Sequence, residues 1–358
     1  MRLACAAVGA RVLTLRELNR ATLARQLLLE RRRMPVPKAI ERLAGLQAQW
    51  PPSPYVALWS RLAGFEREWL TRALVRRQVV KATLMRITLH LVSANDYILF
   101  AGALKAPWVT QLRRRMERMG VDVDVPALAE QALALMADGP RSRSEVLEVF
   151  GSTGEQPWFI WTLVQAELGL VRTPDSATWR PTLGRVSYVP SQTWLGRRPD
   201  TGPQALVHLA RRYLSAFGPA SRADLAQWSG LPVSALRPGL EALEPLRRFR
   251  DERGRELLDL PRSPLPSADV PAPVRFLPQW DSSLLAYDIR ERILPEAYRK
   301  TVIQRNGDVR PTFLVDGFVA GTWRARRGRV ELEPFDPLPR AARRDLEAEA
   351  KRLETFLA

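Results

Sequence analysis

Residues 204–260 carry a succession of patterns that few folds can satisfy. Leu206, Leu209, Tyr213, Leu214 and Phe217 recur at helical spacing up to a Gly218-Pro219 break. Ser221 is placed to cap a second helix over 222–228. Gly230-Leu231-Pro232 makes a turn, and 233–243 reads as a third helix. Two short strands, 246–250 and 257–260, then turn at Arg253-Gly254. Helix, helix, turn, helix and hairpin, in that order, is the winged-helix plan. Pro238-Gly239 inside the third helix argues against a regular groove-reading helix there.

The same order recurs upstream. Leu15, Leu18, Leu23, Leu27 and Leu28 mark a helix over 15–33, ending in Arg31-Arg32-Arg33. Helices over 36–46, 54–62 and 66–77 follow, with Trp50-Pro51-Pro52 as a stop. Residues 79–92 read as extended, and Ser93 as the cap of the next helix. Helices over 127–137, 142–150 and 158–168, with strands at 171–173 and 179–182, form another copy. The repeat is architectural, with no residue-level period. Residues 261–273 hold five prolines and read as a linker. Strands over 312–315, 318–325 and 329–333, turning at Asp316-Gly317 and Arg327-Gly328, form a meander before a helix over 340–357. The expected class is α+β, mainly helical. It comprises three tandem winged-helix modules (13–123, 124–200, 201–262), a Pro-rich linker (263–273) and a C-terminal β-meander and helix domain (274–358). Residues 1–12 are expected to be a disordered lead-in.

Charge narrows the partner. The chain has 358 residues and a net charge of +17, which points to a polyanion, nucleic acid first. Only Lys38, Lys81, Lys105, Lys300 and Lys351 are lysines, so part of the arginine excess reflects coding bias. Yet the arginines cluster, at Arg113-Arg114-Arg115 with Arg118 and around Arg324, Arg326 and Arg327. Cys5 is the single cysteine, and His90 and His208 lie too far apart in sequence for a metal-ligand spacing. No metal and no cofactor are expected. No apolar run approaches a membrane-spanning length, and the N-terminal apolar stretch is too short for a secretion signal. A cytoplasmic, nucleoid-associated monomer is expected.

Three features carry candidate chemistry. In Gly45-Leu46-Gln47-Ala48-Gln49-Trp50-Pro51-Pro52, Pro51 biases Trp50 away from helical angles. Gln47 and Gln49 would then share one face of extended chain. Two carboxamides donate and accept without titrating, and can orient a water or stabilise a developing cation. Read alone, the spacing also suits a solvated helix end. In Arg86-Ile87-Thr88-Leu89-His90-Leu91-Val92, strict alternation puts Arg86, Thr88 and His90 on one face, suited to a phosphate or an extruded nucleotide. A half-exposed strand is the plainer alternative. Trp323, Arg324 and Arg326 on the last hairpin could enter a groove or stack on a base. Asp281 reads as a helix N-cap, and spacing gives Lys38 and Lys81 no Schiff-base role. There is no P-loop, dinucleotide fingerprint or serine elbow.

Taken in order, several stretches give a more specific signal. They are Gly45 to Gln49, Leu84 to Val92, Tyr213 through Gly218-Pro219-Ala220 to Trp228, Phe276-Leu277-Pro278 leading to Asp281, and Val315 to Trp323. Together they resemble the tandem winged-helix DNA glycosylases of the AlkZ/YcaQ kind, from Leu13 to the C-terminus. The resemblance implies excision of alkylated purines and unhooking of interstrand crosslinks. It places a catalytic Gln-x-Gln motif on Gln47 and Gln49. It implies double-stranded DNA carrying alkylated purines or crosslinks as the partner. The strand motif usually has Gly where this chain has Ile87, a bulkier neighbour for DNA. The competing class is a non-catalytic winged-helix DNA-binding regulator.

Overall fold

The computed structural model describes residues 10–120, 123–151, 157–180 and 186–358. Most of the expected lead-in therefore lies outside the described residues. The first part of the chain forms β1 (Val12–Leu13), α1 (Leu15–Arg25), α2 (Val36–Arg42), β2 (Leu46–Gln47), α3 (Ser53–Arg61), α4 (Arg67–Val75), β3 (Val79–Leu84) and β4 (Thr88–Ser93). A 25-residue helix, α5 (Ala94–Arg118), leads on, with the Ser93 hydroxyl capping its first turn. The second part comprises α6 (Val125–Leu135), β5 (Arg141–Ser142), α7 (Arg143–Val149), α8 (Pro157–Leu168), β6 (Leu170–Arg172), β7 (Ser187–Pro190) and α9 (Ser191–Leu195). The third holds α10 (Pro203–Phe217), α11 (Arg222–Ser229), α12 (Val233–Glu241), β8 (Arg247–Asp251) and β9 (Glu256–Asp259). The last holds β10 (Arg275–Leu277), α13 (Ser282–Leu285), α14 (Glu296–Val302), β11 (Thr312–Val315), β12 (Phe318–Arg326), β13 (Arg329–Pro334) and α15 (Arg340–Leu357).

Helix, short strand, two helices and hairpin recur three times, as three winged helices in tandem before a C-terminal sheet-and-helix domain. The short strand is β2 in the first copy and β5 in the second. In the third it shrinks to a single bridge, Ala220 to Leu258. The first two wings join edge to edge through Lys81 and Arg172. The result is one six-stranded sheet, β2-β4-β3-β6-β7-β5. Separately, β1 pairs in parallel with β8, tying the start of the chain to the third wing. The C-terminal sheet is antiparallel, β10-β11-β12-β13.

Two expected elements away from the amide pair differ. The helix expected over 15–33 stops at Arg25, because Leu27 takes a φ of +57°. Tertiary contacts fix that stop. The Arg25 guanidinium grips buried Asp259 at 2.7 and 3.0 Å, and Gln26 Nε2 donates to Ala216 O. The return strand of the second wing is Ser187–Pro190 rather than 179–182. Trp179 is instead packed edge-on against Tyr55 and Phe356. Residues 181–182 lie outside the described residues. Among those described, no helix is long and apolar enough to cross a membrane.

Candidate active site

Gln47 sits on β2 and pairs across the sheet with His90 of β4. Gly45 permits the approach. Its φ is +91°, and a Cβ there would stand 2.9 Å from Val92 Cγ1. Ala48 N donates to Leu89 O at 2.7 Å, which carries the pairing one residue beyond β2. Gln47 and Gln49 therefore flank one extended residue and share a side.

Both amides are anchored on one short segment. Gln47 is buried, and its Oε1 accepts from Arg86 Nη2 at 2.7 Å. Gln49 is exposed, and its Oε1 accepts from the Leu89 amide at 2.7 Å. Neither Nε2 has a partner among the described residues. Each carbonyl also keeps a second lone pair. The pair thus presents free donors and free acceptor capacity on rigid supports.

The segment that anchors them is not the regular strand expected for 86–92. Met85–Ile87 is a single tight turn, with Arg86 and Ile87 both at a φ of +55°. Extended backbone begins only at Thr88. A β-branched residue at positive φ is strained, at a cost of about 1–3 kcal/mol. The Gly usual in the resembling family suits such a backbone better. The turn also aims Arg86 back at Gln47 rather than outward.

The expected open face of Arg86, Thr88 and His90 is corrected accordingly. The Thr88 hydroxyl donates to Met85 O at 2.9 Å. His90 is 1% exposed, with Nδ1 at 3.0 Å from Thr88 O. Burial, then the neighbouring Arg86 charge, lowers its pKa to about 3. It is a neutral imidazole buried inside the sheet, not one on an open polar face.

The third winged helix packs against the site through Arg86. Arg86 Nη1 donates to Trp228 O. Gly230, at a φ of +77°, caps α11, and a Cβ there would fall 2.8 Å from Arg86 Cα. Only glycine lets this turn rest on Arg86. Burial, then nearby Arg290, lowers the Arg86 pKa to about 10, so it stays cationic at neutral pH. Arg86 also borders a cleft of about 1280 Å³ between α5 and α11–α12. Thr110, Gln111, Arg114, Arg118 and Gln227 line it. Sequence reasoning missed both the grip of Arg86 on Gln47 and the presence of Arg290, and no linear signal marks either.

The C-terminal candidates lie elsewhere. Trp323 is 7% exposed, donates its Nε1 hydrogen to Leu277 O at 2.9 Å and packs edge-on against Phe276. It is a core residue of the sheet, which corrects the expectation of a free stacking ring. Arg324 is exposed but paired with Glu331 and Glu333. Arg326 is exposed beside the hairpin tip, opposite Arg329. Lys38 is paired with Glu41, and Lys81 is buried with Nζ donating to Ser176 O. Asp281 caps α13 as expected, and is also gripped by Arg61 at 2.9 Å through both carboxylate oxygens. Among the described residues no cluster of His, Cys, Asp or Glu is built to hold a metal ion.

Comparison with known proteins places this arrangement. The fold is similar to that of the Streptomyces sahachiroi DNA glycosylase AlkZ, with a TM-score of 0.81, 21% identity and 97% of each chain covered. No curated protein matches the sequence. The sequence matches the family described as DNA glycosylase AlkZ-like over residues 40–356, which span the amide pair, its anchoring turn and all three wings. A match of that extent assigns the enzyme class, and the chain belongs to the AlkZ-like family of DNA glycosylases.

Proposed function

We propose that this DNA glycosylase hydrolyses the N-glycosidic bond of N7-alkylated purines in double-stranded DNA, and that Gln47 and Gln49 are its catalytic residues. The observation that carries the reading is the anchoring of both amide oxygens on residues 86–89 beside an arginine-lined cleft. Alkylation at N7 makes the purine cationic, so it departs as a neutral base without being protonated by the enzyme. The remaining tasks are to hold the nucleotide, place a water at C1′ and tolerate positive charge on the sugar. The two amides divide these tasks. Gln49 Oε1 is bonded only to a neutral peptide N–H, so its spare lone pair suits the developing oxocarbenium. Gln47, locked by a guanidinium, has a fixed amide with which to orient the water. Water oxygen bonds to C1′, the C1′–N9 electron pair returns to the purine ring, and the water proton passes to solvent. The product is an abasic site with the strand intact. The cleft bordered by Arg86 has room for bulky adducts, and we extend the reading to unhooking of interstrand crosslinks by a single chain.

The test is release of free base from duplex DNA containing N7-methylguanine, detected by mass. The wild-type protein should release it, and Gln47→Ala/Gln49→Ala should lose at least two orders of magnitude in single-turnover rate, as expected when a water-positioning pair is removed. Equal release by both proteins defeats the assignment. A crosslinked duplex in the same assay tests the unhooking reading.

A further inference from the structure

One residue beyond Gln49 stands an indole with nothing on it. Trp50 is 53% exposed. Among the described residues no ring or cation stacks on it and no group bonds its Nε1. An indole this bare is unusual for a side chain that gains so much from burial. It forms one wall of a cleft of about 620 Å³ between the start of α3 and the C-terminal sheet. Trp179, Pro278 and Pro311 supply further apolar wall. The cleft is built rather than incidental. Trp179 is pinned by Tyr55 at 5.5 Å, by Phe356 at 5.7 Å and by the Arg67 guanidinium at 5.0 Å from its ring centroid. Arg310 stands exposed at its edge with no ion pair among the described residues, beside Arg324, which is held by Glu331 and by Glu333 of the same lining, and Gln279 is a neutral polar lining group.

A flat aromatic face, apolar side walls, a neutral hydrogen-bonding group and an unpaired cation at the rim fit one class of ligand. That class is an unstacked nucleobase whose backbone phosphate lies against Arg310. We infer that the Trp50–Trp179 cleft receives a nucleobase of the DNA displaced from the stack next to the lesion, with its ring laid on Trp50. The position along the chain gives the cleft a purpose. A base held at Trp50 fixes the strand one residue from Gln49, so the register of the damaged nucleotide is set by its displaced neighbour. The inference rests on the proposed placement of the lesion at the amide pair, but its test needs no catalysis.

A duplex carrying a tetrahydrofuran abasic analogue, with 2-aminopurine as its neighbour on the same strand, cannot be excised and reports stacking through its emission. Wild-type protein should bind it with emission characteristic of a base stacked on an aromatic ring. Trp50→Phe should keep both affinity and emission. Trp50→Ala should weaken binding about 5–150-fold, the range for loss of one base–aromatic stack, and leave the 2-aminopurine bright. Ala325→Phe fills the cleft from exposed Ala325 on the opposite wall, far in sequence from Gln49, and should produce the same loss. If Ala325→Phe changes neither affinity nor emission, no base enters the cleft and the inference is overturned. The same holds if Trp50→Ala binds and quenches like wild type. Failure of the glycosylase assay would leave these readouts intact, so the two proposals stand or fall separately.

Discussion

At the residue scale, the proposed chemistry depends on what holds two amides still. A free glutamine samples several rotamers, and ordering one costs up to about 2 kcal/mol. Arg86 removes that freedom from Gln47 before substrate arrives. Its own guanidinium is fixed on the other side by Trp228 O. In the proposed mechanism Arg86 is a positioning residue, and a clear signature follows. Arg86→Gln should lower kcat about 10–100-fold, the scale of loss from slight misplacement of a reacting group, while changing KM for DNA little. Arg86→Lys should recover only part, because an ammonium cannot span Gln47 and Trp228 with a planar fork. A large rise in KM at constant kcat would instead make Arg86 a DNA contact. Single-turnover and steady-state rates on the same alkylated duplex separate the outcomes.

At the element scale, the β3–β4 hairpin carries the site, and its stability should be pH-dependent through His90. The folded-state pKa is depressed to about 3 from an ordinary 6.5. The unfolded chain therefore takes up a proton that the folded chain refuses. Stability is fully present above pH 6.5 and is lost as pH falls from 6.5 towards 3, by about 2 kcal/mol between pH 7 and pH 5. His90→Asn keeps a donor for Thr88 O without a titrating ring, so its urea midpoint should fall less across that interval. An identical pH dependence in both proteins would remove His90 from the account. Elements were legible from sequence where they carry their own punctuation. The Ser221–Asp224 capping box, left-handed Gly230 and the Asp316-Gly317 turn all announce their positions locally. Elements set by distant partners were not. α1 ends where Arg25 and Gln26 are captured by residues about 190–234 positions away. The extended backbone of the amide pair was legible locally from Pro51, but its chemical role came only with the family resemblance. Its anchors were not legible, since Arg86 and Leu89 lie 39–40 positions away and act through a left-handed turn.

At the scale of the whole molecule, buried ion pairs join what the sequence shows as separate segments. Arg25–Asp259 ties α1 to the third wing, and Arg61–Asp281 ties α3 to the C-terminal domain, with all four side chains essentially inaccessible. Asp281→Asn should cost about 3–5 kcal/mol by leaving a buried guanidinium without its charge partner. Arg61→Met/Asp281→Leu should cost less than the single change, which urea denaturation of both proteins would reveal. The assembled molecule carries unpaired arginines along the cleft between α5 and the third winged helix. There Arg114 and Arg118 are exposed and make no ion pair among the described residues. Each phosphate neutralised by such a residue releases counterion, and on duplex DNA contributes about −0.9 to the slope of log K against log salt. If this cleft is where the duplex lies, Arg114→Gln/Arg118→Gln should make that slope shallower by about 1.8 on undamaged DNA. Arg324→Gln should change it less, because Glu331 and Glu333 already neutralise that guanidinium. Fluorescence anisotropy over a salt series reads all three slopes. A shallower slope for Arg324→Gln alone, with the α5 pair unchanged, would move the duplex from the α5 cleft to the C-terminal hairpin, and with it the direction from which a damaged nucleotide reaches Gln47 and Gln49.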